Sequence, residues 1–331
     1  MKILASNDLR WIFQVRPKQD ELLSSWLVRS AIVQLTKIHT FCSSNWPSIE
    51  FWNRDIDRFT DTLILEVLAS KTSTSITAAL NTSLESYSGK LFIKDAKTFN
   101  VYLLPWGIWH RKRKLPGLLF CPSCLELDAP YFRKIWRVSL SFCCVKCKIL
   151  LLDRCEFCNS PIAFFRNDFI SKSDIPRRKI DHCNNCGISL TLCSRSKASE
   201  SLVKLQLSLE KYIAIGFLNY KKKSFFDVVL HIQWCLYSKS KRLIRFQDYV
   251  RLHNPFLNDY DLGIETKLNI FLLRSIEQRR IVFQLAHWVL NSFPQRINKI
   301  LLSSGTTVKA LIGEKKNLPE WFLKELNKNP F

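Results

Sequence analysis

Four Cys-x-x-Cys pairs lie in the middle of this chain, between residues 121 and 186. They are Cys121/Cys124, Cys144/Cys147, Cys155/Cys158 and Cys183/Cys186. A tight turn between two cysteines allows their sulfur atoms to occupy two corners of a tetrahedron, and two such pairs complete the coordination sphere of Zn²⁺. The sequence therefore predicts two closed, structural zinc sites with eight cysteine ligands.

The spacing of the pairs favours one arrangement without excluding others. Nineteen residues separate Cys124 from Cys144, which is within the range of four-cysteine zinc sites, and 24 separate Cys158 from Cys183, slightly beyond it. Pairing in sequence order is the simplest solution. An interleaved arrangement stays open on spacing alone.

The other four cysteines fall outside this pattern. We expect Cys42 and Cys235 to be buried as small apolar side chains. Cys143, Cys193 and also His182 lie beside or near the paired cysteines and are spare ligand candidates. A disulfide framework is disfavoured because a chain of 331 residues has enough core without it and its N-terminus shows no signal peptide pattern. A redox site would normally use a single Cys-x-x-Cys pair.

The composition is that of a folded protein, with 47% hydrophobic and 24% charged residues. No uncharged apolar run is long enough to predict a membrane span. We therefore expect a cytoplasmic protein, whose reduced thiols are available to bind zinc.

The charge balance is strongly basic, with 50 Lys and Arg against 28 Asp and Glu and a formal net charge of +22. The net charge is +2 over residues 1–105, +9 over residues 106–200 and +11 over residues 201–331. Two four-thiolate zinc sites would lower the total to about +18. Such a field attracts polyanions, and nucleic acid is the commonest of them. A generally basic, solvated surface is the alternative.

Several basic runs are candidates for contact with phosphates. Trp106 and Trp109 precede one of them, and although aromatic residues among cations can stack on bases, these two are more typical of a core. Further basic runs occupy residues 221–223 and 239–245. The predicted nucleic-acid contacts are Arg111, Lys112, Arg113, Lys114, Arg133, Lys134, Arg137, Arg177, Arg178 and Lys179.

Apolar periodicity predicts a mainly α protein in three parts. A helical N-terminal domain (1–105) contains a helix-turn-helix-like hairpin over residues 61–87, with Ser75 as a helix cap, and its first helix is capped by Asp20. A double zinc-knuckle or zinc-ribbon domain (106–193) follows, in which knuckle hairpins form the only sheet. A basic helical domain (194–331) completes the chain.

Four stretches of the sequence carry a family resemblance. They are Arg16-Pro17 with residues 21–27 and Arg29, residues 51–58, residues 107–140 continued by residues 153–158, and Trp288 with Phe293-Pro294 and Arg296. Together they resemble the TniQ proteins of bacterial transposons, whose larger relatives include TnsD. The family commonly has Cys-x-x-His where this chain has Cys144-Val145-Lys146-Cys147, and zinc accepts either ligand.

The resemblance implies a non-catalytic accessory protein of transposition. Such a protein binds DNA, or a targeting complex on DNA that in some elements is a guide-RNA CRISPR effector, and recruits a TnsC-like AAA+ ATPase regulator to the target site. It also implies a bacterial cytoplasmic protein that is associated with the nucleoid when active. A homodimer is a further candidate assembly.

Two other classes of protein compete with this interpretation. A nuclease or transposase would need converging carboxylates for Mg²⁺, and Asp55 and Asp57 are the only closely spaced acidic pair in a motif-like setting. Their alternation with Arg54 and Arg58 favours local ion pairing instead. The second class is a zinc-containing, DNA-binding transcription regulator that uses the helix-turn-helix candidate.

The near-neutral N-terminal third is a candidate surface for the ATPase or for a second copy of the chain. The face would be built from residues 22–35 and 52–58. The alternative is that Trp26, Leu27, Trp52 and Ile56 fill the N-terminal core.

Overall fold

The computed structural model divides the chain into two compact units, residues 1–214 and 215–331. It describes residues 10–92, 101–106, 108–109, 112–113, 115–167, 179–215, 220–255, 272, 274–313 and 318–328, with only the backbone described for residues 108–109, 112–113 and 220–224. About half of the structure is helical, as predicted, and its few strands are short. The boundary expected at residue 105 lies inside the first unit.

The first unit begins with four helices. They are α1 (Leu23–Val33), α2 (Ile38–Asn45), α3 (Thr62–Lys71) and α4 (Ile76–Leu80). The Asp61 carboxylate caps α3 by accepting a hydrogen bond from Leu63 N, and Ser75 Oγ caps α4 by accepting one from Ala78 N. The cap predicted at Ser75 is therefore confirmed. A helix-turn-helix function for α3 and α4 stays a prediction.

The cap predicted at Asp20 is wrong. The residue at the N-cap position of α1 is Leu22, which makes no side-chain cap. The buried Asp57 carboxylate caps α1 instead, accepting hydrogen bonds from Ser24 N at 2.8 Å and Ser24 Oγ at 2.9 Å. Asp20 has φ of 59° and pairs with Arg133 at 3.3 Å, so its carboxylate serves a contact distant in sequence.

The cysteine-rich part of the first unit contains short elements. A two-stranded sheet pairs β1 (Ile108–Trp109) with β2 (Lys112–Arg113), and a second pairs β3 (Cys143–Cys144) with β4 (Ile149–Leu150). Helix α5 (Pro122–Leu125) lies between them in sequence, and α6 (Glu200–Ile215) follows the last cysteine. Among the described residues the strands lie within residues 106–193, but only the β3–β4 sheet is a knuckle hairpin; the β1–β2 sheet precedes Cys121, so the expectation that knuckle hairpins form the only sheet is wrong.

Aromatic side chains fill the core of the first unit. Phe165 stacks between Trp52 and Trp106, with ring centroids 4.5 Å and 5.3 Å away. Trp26 and Leu27 of α1 are fully buried and Trp52 and Ile56 nearly so, which means that these side chains form core and not an exposed partner surface. Burial of Trp106 agrees with the core interpretation of that residue.

A buried ion network connects the N-terminal helices to the cysteine-rich part. Arg137 is 0% exposed; its Nη2 pairs with Asp55, and its Nη1 lies 3.2 Å from Asp57. Nη2 also donates to Leu104 O at 3.0 Å, and the guanidinium lies 4.6 Å from the Trp106 ring centroid. The contacts of Arg137 with Asp55 and Asp57 therefore hold the cysteine-rich part against the N-terminal helices.

The second unit is a set of helices. They are α7 (Tyr220–Tyr237), α8 (Ile244–His253), α9 (Ile276–Leu290), α10 (Gln295–Ser304), α11 (Val308–Ile312) and α12 (Glu320–Asn327). Helix α7 packs on α9, and α8 on α10. Gly305 ends α10 with φ of 64°, a left-handed conformation that glycine adopts readily. Before α9, residues 256–271 and residue 273 lie outside the described part of the chain.

Within the described part of the chain, no helix combines the length and the apolar character needed to cross a membrane.

Candidate metal centres

All four Cys-x-x-Cys pairs share one backbone feature. The N–H of the residue four positions after the first cysteine donates to that cysteine's carbonyl, in the pairs Leu125–Cys121 (3.1 Å), Lys148–Cys144 (2.7 Å), Asn159–Cys155 (2.8 Å) and Gly187–Cys183 (3.0 Å). Lys148, Asn159 and Gly187 have positive φ angles of 55°, 57° and 76°. Gly and Asn adopt this conformation readily, and Lys148 is held in it by the β3–β4 hairpin.

The first cluster joins the first two pairs, Cys121, Cys124, Cys144 and Cys147. Its four sulfur atoms lie within 4.8 Å of one another, with Sγ–Sγ distances of 3.6 Å for Cys124–Cys144 and 3.5 Å for Cys124–Cys147. A tetrahedral zinc ion with Zn–S bonds of about 2.3 Å requires Sγ–Sγ edges of about 3.8 Å. The measured distances fit a metal ion of that size.

The second cluster joins the other two pairs, Cys155, Cys158, Cys183 and Cys186. The Sγ–Sγ distances are 3.7 Å for Cys155–Cys186 and 3.6 Å for Cys158–Cys183, and all four sulfur atoms again lie within 4.8 Å of one another. Cys155 and Cys183 are buried, whereas Cys186 is exposed. The structure thus pairs the knuckles in sequence order, which spacing alone had left open.

The thiols of the first cluster affect one another's ionisation. Hydrogen bonds with Cys121 and Cys124 lower the pKa of Cys144 to about 2, and hydrogen bonds with Cys124 and Cys144 raise the pKa of Cys121. In the second cluster, burial alone would raise the pKa of Cys158, but hydrogen bonds from Ser160 and Asn185 outweigh it and lower the pKa to about 6. A bound cation would allow all four thiolates of a cluster to lie side by side.

The spare ligand candidates take other roles. Cys143 is buried, and its Sγ lies 3.8 Å from Leu202 O of α6. His182 Nδ1 lies 3.2 Å from a carboxylate oxygen of Asp181. Cys193 is buried outside both clusters. Cys42 and Cys235 are buried as expected.

Comparison with known families places the first cluster in a recognised domain. The family model of TniQ matches residues 12–151. The chain carries a TniQ domain. The resemblance found in the sequence is confirmed over this range, and a TniQ domain associates the chain with transposition as an accessory protein. The first cysteine cluster lies inside the TniQ domain, and the second lies beyond its end. A search of curated proteins found no match to the chain.

Two of the predicted nucleic-acid contacts of the TniQ domain are wrong, because their side chains lie inside the protein. Arg137 is fully buried in the network with Asp55 and Asp57. Lys134 is 7% exposed and donates from Nζ to Ser86 Oγ at 2.8 Å; burial lowers its pKa to about 8. Neither cation can neutralise a phosphate at the surface in this structure.

Of the other predicted nucleic-acid contacts, the structure describes the side chains of Arg133 and Lys179. Arg133 is partly exposed, but its guanidinium is shared between Asp20 at 3.3 Å and Glu210 at 3.9 Å. Lys179 is exposed. The side chains of Lys112 and Arg113 and all of Arg111, Lys114, Arg177 and Arg178 lie outside the described residues, so their contacts with nucleic acid stay predictions.

The acidic pair in the TniQ domain makes a different ion pair from the one expected. Asp55 and Asp57 are buried with Arg137, about eighty positions away in sequence, whereas the sequence favoured pairing with Arg54 and Arg58. Burial and the neighbouring Asp55 outweigh the attraction of Arg137 and raise the pKa of Asp57 to about 6. In the sequence, the alternation of acidic and basic residues over 54–58 indicated that the two aspartates form ion pairs. It could not identify Arg137 as their partner.

Proposed function

We propose that this chain is a zinc-stabilised, non-catalytic adaptor that brings an AAA+ transposition regulator to DNA or to a targeting complex on DNA. The observation that supports it most directly is the TniQ domain with a four-cysteine cluster folded into it. The four-thiolate donor sets, with tetrahedral spacing and no position left for a substrate, favour two structural Zn²⁺ ions. The net charge of +22 favours a polyanionic partner.

Two basic segments of the sequence are proposed to meet DNA phosphates. These are Arg111 to Lys114, on and beside strand β2, and Arg177 to Lys179 in the second cysteine cluster's connecting segment. Cations in such segments position a protein on the DNA backbone without reading its sequence. We therefore expect weak sequence specificity and a strong dependence on salt.

Retention of the ATPase on DNA tests the proposal. Purified full-length chain, reduced and loaded with zinc, is mixed with the AAA+ regulator of a transposon that encodes a TniQ protein and with immobilised duplex DNA. The ATPase should be retained well above its own background only when the chain is present. Retention that is the same with and without the chain would contradict the adaptor function.

The full chain is required in this experiment. A fragment that ends at residue 105 would keep Asp55 and Asp57 but lose Arg137, leaving two buried carboxylates without their cation. Such a fragment is not expected to fold. A chain in which the four lysines and arginines at 111–114 are replaced by Ala is the informative variant, since loss of DNA binding with retained ATPase binding would separate the two activities.

The competing functions have less support from the described residues. The carboxylates proposed for a nuclease are buried and paired with Arg137, so they do not form an open Mg²⁺ site. In a transcription regulator of the helix-turn-helix type, α4 would be the helix that contacts the bases. It spans only Ile76–Leu80 and carries no Arg or Lys for such contacts. Cleavage of plasmid DNA with Mg²⁺, or tight binding to one operator without the ATPase, would favour these alternatives.

The proposal leaves two routes by which the chain could be brought to its target site. An RNA-guided effector or a resolvase-associated site would each fit a TniQ-type adaptor. Copurification of a tagged chain from cells that carry its element distinguishes them, because an effector route predicts that guide RNA copurifies with the chain. A second copy of the chain would appear as a dimer in light scattering.

A further inference from the structure

Four cations lie together at the start of helix α8, in the second unit and outside the matched TniQ domain. We define the α8 basic surface as Lys239, Lys241, Arg242 and Arg245. All four side chains are exposed, and within the described part of the chain none forms an ion pair. The nearest acidic residue in sequence, Asp248, lies 4.0 Å from Arg251 instead.

The positions of three of these cations bring them onto one side of a helical segment. Residues 241–243 form a 3₁₀ turn that continues directly into α8. Lys241 and Arg245 are four positions apart, and Arg242 and Arg245 are three apart, which are the spacings of neighbours on a helix surface. Lys241 and Arg242 are therefore each neighbours of Arg245, and Lys239 adjoins these three cations in sequence.

This arrangement opposes local stability. Like charges at these spacings repel each other by a few tenths of a kcal/mol per pair. The amino end of a helix carries partial positive charge, which disfavours cations, and the first turn of α8 contains no acidic residue. Among the described residues, Nη1 of Arg245 lies close to Gly305 at the end of α10, where an added Cβ would meet it at 3.5 Å. A bound polyanion would relieve the repulsion of the whole group.

From these observations we propose that the α8 basic surface binds the phosphate backbone of duplex DNA. The proposal rests on the DNA-binding part of the proposed function and adds a second contact outside the TniQ domain. Duplex DNA is favoured over single-stranded nucleic acid because the only aromatic residue within the segment 239–246, Phe246, is fully buried and offers no stacking face. An acidic protein partner is less favoured because Ile244 is the only large exposed apolar side chain within the segment 239–245.

The test compares two triple variants of the full-length, zinc-loaded chain. One is Lys239→Ala/Lys241→Ala/Arg242→Ala, which leaves Arg245 and its contact with Gly305 intact. The matched control is Lys211→Ala/Lys324→Ala/Lys328→Ala, which removes three exposed lysines on α6, on α12 and just after α12. Binding to a fluorescent DNA duplex is measured by fluorescence anisotropy over a range of about 50 to 300 mM KCl.

We expect the slope of log K against log salt to become shallower by about 2.7 in the first variant, since each lost phosphate contact contributes about 0.9. The control should change the slope by less than about 1. Thermal unfolding should show the first variant to be as stable as the wild type or slightly more stable, because the substitutions remove repulsion. That measurement excludes misfolding as the cause of weaker binding.

Three results would overturn the proposal. If the slope of log K against log salt is equal for the two triple variants, the α8 basic surface does not contact DNA. That result would leave DNA binding by other parts of the chain uncontradicted. A larger loss of binding to single-stranded RNA or to an acidic peptide than to duplex DNA assigns the patch to that partner instead. A wild-type chain that binds no duplex at 50 mM salt contradicts both this surface and the DNA-binding part of the proposed function.

Discussion

Replacing Arg137 by Met tests how the TniQ domain is held together. Methionine keeps an unbranched apolar stem like that of arginine, but it removes the guanidinium, which lies against Trp106 and between Asp55 and Asp57. Both carboxylates would remain buried and face each other without compensation. The variant also removes the hydrogen bond to Leu104 O.

The expected loss of stability follows from these contacts. Removing one partner of a buried ion pair costs about 3–5 kcal/mol, because the remaining charge stays out of water. The pKa of Asp57 is already raised to about 6, and without Arg137 it should rise further. The folded variant then holds a proton that the unfolded chain releases. Its destabilisation relative to the wild type should therefore shrink by up to about 1.4 kcal/mol for each pH unit between the raised pKa and about 6, where Asp57 of the wild type binds its own proton.

The assay is urea unfolding followed by tryptophan fluorescence, at pH 8 and pH 6.5 in buffer containing zinc. Arg133→Met is the matched control, because the side chains of Arg133, Asp20 and Glu210 are each about one-fifth exposed. Solvent screening should keep its effect near or below about 1 kcal/mol. Adding Asp55→Asn and Asp57→Asn to Arg137→Met should restore most of the stability, since an entirely neutral replacement of a buried ion network is often well tolerated.

Two outcomes would refute this reasoning. One is a loss below about 1 kcal/mol at pH 8, which would show that the carboxylates reach water or another cation. The other is a triple variant no more stable than Arg137→Met. A folded Arg137→Met chain should also keep the salt slope of DNA binding unchanged, because the guanidinium does not reach the surface.

Further predictions concern the metal centres, one carboxyl group and one helix cap. Cys144→Ser should lower the zinc content, measured by elemental analysis, from two ions to one, whereas the neighbouring Cys143→Ser should retain both; equal zinc contents would contradict the ligand assignment. Burial raises the pKa of Glu210 from 4.5 to about 7, so stability should fall as the pH rises through that window, and Glu210→Gln should flatten this dependence in urea titrations; an unchanged pH profile would count against it. Ser75→Ala should cost about 1 kcal/mol through loss of the bond from Ala78 N, with the exposed Ser43→Ala as a control that changes little.

Local sequence patterns determined the parts of this protein that depend on near neighbours. The Cys-x-x-Cys spacing was sufficient to identify all eight clustered cysteines, because each pair is formed within a single turn. The cap at Ser75 and the helix end at Gly305 were likewise predictable, since a cap or a left-handed residue acts on its own helix. The family resemblance also followed from short motifs.

The tertiary structure decided what depends on contacts distant in sequence. The pairing of the knuckles required the chain path between them, and the partner of Asp55 and Asp57 required a buried arginine about eighty residues away. A run of basic residues carries no information about burial. For this reason Arg137 and Lys134 were predicted as surface contacts, whereas the run 239–245 was noted as basic but its exposed cations were not among the residues predicted to contact nucleic acid. Charge is a property of the residue, but its availability to a partner is set by packing, which the sequence specifies only through the whole fold.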